Sequence, residues 1–534
     1  MPPLNLPDGI EALPITNWEN GHQNFTHRFK DNASFKLRIP FLPATKADQY
    51  RQTTANFQWL IQHAIDNNLK LRAVGNGWSF NDIMVCDGGM IDTKALRLSF
   101  WVPNNYIHAD YLASGKGPGD LVFVECGMSI LDIHEKLEVQ ANPRRSLKAS
   151  GASNGQSIAG ATSTGTHGSA YRVGAVHDTI LGLHVVVGAN RHVWIERASA
   201  PVASPEFLTW LGAELIRDDD MFNSAVVSFG SFGFIHGIML ETEPIYLLAE
   251  QRADQFTYDD DLVHALETLD FTGIQMKLPY PPDGPDKHLY HFEVIINPHH
   301  FAKDNKVKGV YLKTMYKMPY TPGYPKRQPP PGKFQYGENT LGVIETIIDS
   351  IPSPLQVALV PPLVNTFFPQ AFKKAMDAFG TIGETFTNPK FRGKAISCAI
   401  GMDSSNIGRV VDIIMDINHQ TPFPGGMALR FIKGTKAMLG FTRFEKTCIL
   451  ELDGVDAQLS KDFFRQVWDE MELQQIPYTL HWGKFNANLT PQRVRQMYGN
   501  SAVDRWIFAR HQLMDAATRN VFNNAFMQRA GLDA

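Results

Sequence analysis

Residues 151–171 read GASNGQSIAGATSTGTHGSAY. Five glycines and many small hydroxyl residues leave almost no large side chain, so the segment can build little core. What it can do is let backbone lie close against a flat ring or a pyrophosphate, with N–H and O–H donors facing it. A flexible linker has a similar composition. A linker would not normally interleave Ile158 and His167, nor sit between predicted strands.

Those strands lie on both sides. LVFVECGMS (121–129) precedes the segment, followed by SILDIHEKLEVQ (129–140), a helix with Ser129 placed to cap it. LGLHVVVG (181–188) and HVWIERA (192–198) follow it. Further upstream, FKLRIPFLPAT (35–45) predicts a short strand, and Asp48 to Asn68 a helix with Phe57, Leu60, Ile61 and Ala64 on one face. LKLRAVG (69–75) predicts a buried strand running into the turn GNGWSFND, with another strand at MIDTKAL. HGIMLETEPIYLLAE (236–250) predicts one strand leaving the first domain. The order is α+β with a mixed sheet. No G-x-G-x-x-G follows the first strand, so a doubly wound dinucleotide fold is not supported.

The later part has a different character. Residues 315–334 hold six prolines and predict an irregular or extended crossing segment. Residues 401–420 read as helix and MALRFIKG (427–434) as a strand. LTPQRVRQMYG predicts a helix capped by Thr490 with Pro491 at its first position, and another begins near Asp515.

Composition removes several function classes. At 534 residues the chain exceeds one ordinary core and predicts two or three domains. Its formal net charge of -4, without a basic stripe, argues against a nucleic-acid partner. Cys86, Cys126, Cys398 and Cys448 form neither a disulfide framework nor a metal-ligand pattern, and His299-His300 has no ligand spacing, so no metal is expected. The N-terminus lacks a secretory pattern and no stretch approaches the ~20 apolar residues of a membrane span. These features predict a cytoplasmic protein without a membrane partner. They say nothing of its oligomeric state.

Three short motifs join the small-residue segment. Gly75-Asn76-Gly77-Trp78-Ser79-Phe80 sets two glycines two apart after a buried strand, a turn able to bare N–H groups to phosphate oxygens or to serve as plain punctuation. GSFGFIHG (230–237) spaces glycines around aromatics before a strand. His481-Trp482-Gly483-Lys484 can point an acid/base group and a cation into one cavity, or stand on the surface.

Together these pieces resemble the vanillyl-alcohol-oxidase/p-cresol-methylhydroxylase (PCMH-type) family of FAD flavoproteins, nearest the sugar-lactone and alditol oxidases and the type II cholesterol oxidases. Gly75 to Ser79 resembles the family's G-x-G-H-S turn in all but one position. Gly165-Thr166-His167-Gly168 matches its G-T-H-G loop, and Gly230 to Ile235 loosely resembles its G-x-x-G-I/V segment. Ala428-Leu429-Arg430 stands at the cap's E-x-R strand and Tyr290-His291-Phe292-Glu293 resembles another cap strand. The chain closes with the branch's H-W-G-K.

The resemblance implies a PCMH-type FAD-binding domain at 1–250, an α+β substrate cap at 251–475, and a C-terminal segment, 476–534, that returns to the first domain. FAD would rest on Gly75, Asn76, Gly77, Trp78 and Ser79, and on Gly151, Ser157, Gly160, Ser163, Thr164, Gly165, Thr166, His167 and Gly168, with Gly233 and Ile235 closing the site. Arg430, His481, Lys484 and Glu293 are the implied catalytic set. The implied reaction moves a hydride from a C–OH group of an alcohol, polyol or lactone-like substrate to flavin N5, with oxygen or another acceptor reoxidising the cofactor. Two departures matter. Trp78 replaces a histidine that often bonds flavin covalently, so FAD is expected to be non-covalent. Ala428 replaces the glutamate of E-x-R, which leaves open a phenol, amine or sterol-like apolar substrate, or a flavin-binding protein without catalysis.

Overall fold

Leu121–Glu125 is buried at every position and pairs antiparallel with Phe234–Pro244, which pairs in turn with Ile180–Gly188. Such nearly continuous apolar runs are what a strand shows when both of its faces are covered. In the computed structural model, which describes residues 5–42, 45–254, 256–301, 309–327, 339–387 and 394–534, these three strands are the middle of a seven-stranded sheet. A four-stranded sheet precedes it, ordered Ile10–Ala12, Phe35–Leu37, Gly89–Asp92, Leu71–Val74, with both parallel and antiparallel pairs. The helix Lys46–Asp66 buries Phe57, Leu60, Ile61 and Ala64, and the Thr45 side chain caps it by accepting from the Asp48 N–H.

The largest sheet is antiparallel and has eight strands. Its order is Ala375–Gly380, Tyr246–Ala253, Val310–Pro319, His288–Ile296, Gly425–Lys433, Lys446–Val455, Ala395–Asp403, Tyr478–Leu480. Met427, Leu429, Phe431, Leu450 and Leu452 lie on one face and join the main core with the apolar sides of helices Ile407–Gln420 and Gln458–Leu473. The alternate residues of the same strands face the other way and include the charged groups described below. The last helices return to the beginning of the chain: Asn500–Leu513 packs on Asp219–Ala225, and Ala516–Val521 on Lys46–Asp66.

Several sequence expectations change here. Residues 236–250 are two strands, Phe234–Pro244 and Tyr246–Ala253, in different sheets, so the chain changes sheet at Ile245. The expected irregular segment begins inside the strand Val310–Pro319, because the prolines cluster only from Pro319 onward; residues 328–334 lie outside the described residues. Residues 401–403 finish a strand, and the helix starts at Ile407. Helix Gln356–Ala371 was not expected at all, having Pro361, Pro362 and Pro369 inside it. Ser129 caps Ile130–His134 in a reciprocal bond set with Asp132, and Thr490 caps Pro491–Tyr498, both as expected. Among the described residues no helix is long and apolar enough to cross a membrane.

Glu196 shows how polar groups are satisfied inside the seven-stranded sheet. Its fully buried carboxylate accepts from Arg217 Nε (2.6 Å), Trp194 Nε1 (2.8 Å) and the N–H groups of Val202 and Ala203. Glu196→Ala strands the buried Trp194 and backbone donors without a partner and should lower unfolding free energy by about 2–4 kcal/mol, read from urea denaturation.

Candidate functional site

The glycine turn, the small-residue segment and the H-W-G-K ending meet at one place. Gly77 has φ +72°, and a Cβ on Gly75 would fall 2.2 Å from Ser157 Oγ, so this turn needs glycine to approach the loop. Asn76 Nδ2 donates to the Gly155 carbonyl at 2.5 Å. On the other side the Phe80 N–H donates to the Gly483 carbonyl (2.8 Å), and Asn81 Nδ2 reaches the carbonyls of Trp482 (2.8 Å) and Lys484 (2.7 Å). Buried Trp482 fixes the ending from beneath, donating from Nε1 to the Leu439 carbonyl and packing on Phe229 and Tyr498.

Between these walls lies a cavity with about 1380 Å³ of empty space, its open mouth included. It takes in residues 75–80, parts of 152–167 and 229–235, and Arg430, Glu451, His481 and Lys484. The loop spends its carbonyls inward: those of Asn154 and Gln156 accept from the N–H groups of Leu131 and Ile130. The N–H groups of Asn76, Gly77, Ser79, Ala152 and Ser153 meet no acceptor among the described residues.

The charged wall is buried. Arg430 Nε donates to Glu293 Oε1 (3.0 Å), and Arg430 Nη1 lies 3.1 Å from Glu451 Oε2. Burial works against the arginine's charge, but Glu451 and Glu293 hold the guanidinium more firmly protonated than usual. Burial likewise pushes both carboxyls up, and Arg430, together with Lys313 beside Glu293 and Lys484 beside Glu451, outweighs it, so both stay ionised. Lys484 Nζ donates to Ser397 Oγ at 2.8 Å. Burial takes His167 down to about 4 and, with His167 and Lys484 nearby, holds His481 well below its ordinary value, so both rings are neutral. His481 Nδ1 accepts from the Gly483 N–H (3.0 Å), which leaves the ring proton on Nε2 and makes that nitrogen a donor. His167 Nδ1 donates to the Gly168 carbonyl (3.1 Å) in the neutral ring.

Of the residues singled out from sequence, Gly75, Asn76, Gly77, Trp78, Ser79, Ser157, Gly160, Ser163, Thr164, Thr166, His167, Gly233, Ile235, Arg430, His481 and Lys484 line the cavity. Gly151, Gly165 and Gly168 shape the loop behind it: Gly165 turns at φ +80°, and a Cβ on Gly168 would meet the Ser150 carbonyl at 2.5 Å. Glu293 does not reach the cavity; it sits behind Arg430, also contacting His291 Nε2 (3.1 Å) and Lys313 Nζ (3.5 Å). The carboxylate on the wall is Glu451, which sequence reading missed because KTCILELDGV reads as an ordinary buried strand. His22 was missed too. It stacks on Phe80 (3.9 Å between ring centres) and meets Glu345 at 2.8 Å, in an N-terminal stretch with little pattern.

The fold is of the PCMH type. The chain aligns over its full length with cholesterol oxidase from B. sterolicum, covering 99% of both chains at 16% identity with a TM-score of 0.68. In sequence it is 26% identical to the L-gulono-1,4-lactone dehydrogenase of Mycobacterium tuberculosis over 447 residues, 82% of this chain and 86% of that protein. It is 28% identical to L-gulonolactone oxidase 3 of Arabidopsis thaliana over 223 residues, 41% of this chain and 33% of that one. No protein-family model matches the chain. In sequence the chain is thus similar to lactone dehydrogenases and oxidases, and in fold to cholesterol oxidase.

That likeness implies FAD, and the residues fit it. Backbone N–H groups and Gln156 Oε1 that have no partner among the described residues line the cavity, where they suit a ligand rich in phosphate and polar ring edges, and close-set glycines admit a flat body. Asn81 holds the wall that such a ligand needs. Asn81→Ala should raise the Kd for FAD about tenfold, roughly 1.4 kcal/mol, in fluorescence titration of deflavinated protein.

Proposed function

We propose that the chain oxidises a C–OH group of a small alcohol, polyol or lactone-like substrate with non-covalent FAD, and that oxygen or another acceptor completes the cycle. The observation that carries this reading is the cavity itself, with phosphate-type donors along one wall and Arg430, Glu451 and Lys484 gathered on another. In this reading residues 1–250 hold FAD, 251–475 cap the substrate and 476–534 return to carry His481 and Lys484. Bound FAD would supply the hydride acceptor.

The chain's own groups do the rest. Arg430, kept charged by Glu293 and Glu451, binds the substrate oxygen and stabilises the negative charge that develops there. His481 offers its Nε2 proton as a hydrogen-bond donor, because Nδ1 is already an acceptor. Glu451 orients the substrate through Arg430 and excludes a second anion. Glu293 anchors Arg430 from behind. Arg430→Ala should cut turnover by ~10²–10³ through lost charge stabilisation. Turnover within about twofold of the parent would remove Arg430 from the reaction.

Non-covalent attachment rests on local chemistry. Trp78 offers no basic nitrogen, and the 151–171 segment has no cysteine. Cys126 does line the cavity, but burial raises its thiol far above the usual range and keeps it un-ionised. Acid precipitation of the holoprotein should leave the yellow colour in the supernatant. Colour fixed to the pellet, with one flavin's added mass on a peptide bearing His22 or His167, would overturn this point.

A further inference from the structure

Behind Lys484 stands a carboxyl group that the reaction described above does not use. Asp453 lies two residues after Glu451 on the strand Lys446–Val455, so both side chains leave the same face of the sheet. It is fully buried. Ser397, its direct partner on the neighbouring strand, donates from Oγ to Asp453 Oδ1 at 2.6 Å. The same Oγ accepts from Lys484 Nζ at 2.8 Å. A hydroxyl has one proton to give, so the bond from lysine and the bond to aspartate set one direction along the line. Asp453 Oδ2 has no hydrogen-bond partner among the described residues. The line therefore runs from a cavity-wall ammonium through one hydroxyl to a dead-end carboxylate.

We propose that Asp453 is the terminal acceptor of the proton that leaves the substrate hydroxyl, reached from the cavity through Lys484 and Ser397. This rests on the C–OH reading above. Lys484 passes one of its N–H protons to Ser397 Oγ, and the amine so freed takes the hydroxyl proton as the hydride leaves carbon. The Ser397 proton moves to Asp453 Oδ1. Lysine ends as the same ammonium, serine as the same hydroxyl, aspartate as the neutral acid, and the substrate as the carbonyl compound. When oxygen or another two-electron acceptor takes the electrons, the proton returns by the same path to it.

The neighbouring groups explain why the proton stops there. Glu451 and Glu293 are each held ionised by the Arg430 guanidinium, which makes them weak bases. His481 and His167 are neutral, and His481 Nδ1 is occupied by the Gly483 N–H. Asp453 has no arginine in contact. Burial and the Glu451 charge push its carboxyl up to about 7, against Lys484, the Ser397 hydrogen bond and the more distant Arg430. It is the strongest base in the cluster that a proton from Lys484 can reach through one hydroxyl.

Anaerobic bleaching of the holoprotein by a C–OH donor tests the relay. The parent's bleaching rate should rise with pH around a midpoint of about 7. Asp453→Asn and Ser397→Ala should each slow bleaching by about 10²–10³-fold and abolish that rise, with substrate affinity within about threefold of the parent. Stability supplies a readout independent of turnover. A carboxyl raised from 3.8 to about 7 favours the folded protein most below 3.8, and that contribution is lost as pH rises to about 7. Asp453→Asn should therefore flatten the dependence of Tm on pH across that window. A bleached parent with both variants within about twofold of it, and the pH rise intact, overturns the relay alone. A parent that binds FAD but is bleached by no C–OH donor overturns the C–OH reading, and the relay with it. If Asp453→Asn does not fold, Ser397→Ala decides by the same two criteria.

Discussion

A row of buried charges in the eight-stranded sheet constrains everything around it. Arg252 is opposite Lys313, Lys313 opposite Glu293, and Glu293 opposite Arg430, so four adjacent strands place one charged residue each in a single cross-strand line. All four are nearly or fully buried. Ions removed from water cost several kcal/mol each unless a partner compensates them, and breaking one pair leaves the rest uncompensated. Glu250 joins the end of the line, bonded to Arg252 Nε (2.6 Å) and Arg327 Nη1 (2.9 Å). A register slip of one residue in any of these strands would drive its charge into the apolar face made by Leu429, Phe431 and Leu450. The row thus fixes register, and register aims Arg430 at the cavity.

The second constraint joins the sheets. The chain leaves the seven-stranded sheet at Pro244 and enters the eight-stranded one at Tyr246, and the two glycine-rich walls belong to the earlier sheets. The other side of the cavity comes back from much later in the chain, through Asn81 and the Phe80 N–H bonded to residues 482–484. Ser169 adds a further tie, donating to the Phe292 carbonyl and accepting from the Phe431 N–H, which welds the end of the small-residue segment to two strands of the large sheet. Cavity shape therefore depends on contacts between residues hundreds of positions apart, and binding of a ligand that spans both walls must stabilise their closure.

What could be read from sequence follows from how local each signal is. Glycines at 75, 77, 160 and 165 stand where the backbone is tight or φ is positive, and composition alone marks such places. The caps at Ser129 and Thr490 lie next to the helices they start. Glu451 and Asp453 carry no such mark. Each is an acidic residue in an apolar run, and only pairing with strands far away in sequence reveals what it faces. Glu293 was legible only through the likeness of Tyr290–Glu293 to a cap strand, and its depth behind Arg430 was not, because depth is set by the neighbouring strands. The helix Gln356–Ala371 escaped because proline argues against helix locally, while the packing of Val360, Val364 and Phe368 against the sheet overrides that argument.

The alanine at position 428 gains meaning from the same geometry. Its direct partner across the ladder is Glu451, and residues directly opposed in an antiparallel pair share a face. Arg430 lies two positions along from Ala428, again on that face. A carboxylate on residue 428 and one on residue 451 would thus both project beside the same guanidinium, from adjacent strands about 5 Å apart. The sheet holds its carboxylate–arginine pair one strand over from where the E-x-R pattern would put it, with Arg430 Nη1 3.1 Å from Glu451 Oε2. Small Ala428 leaves room beside Phe80 and Leu341, an apolar patch that reaches the cavity. Moving the charge to the next strand keeps the arginine paired while making that part of the wall less polar, and the change is invisible to any reading of the strand 425–433 by itself.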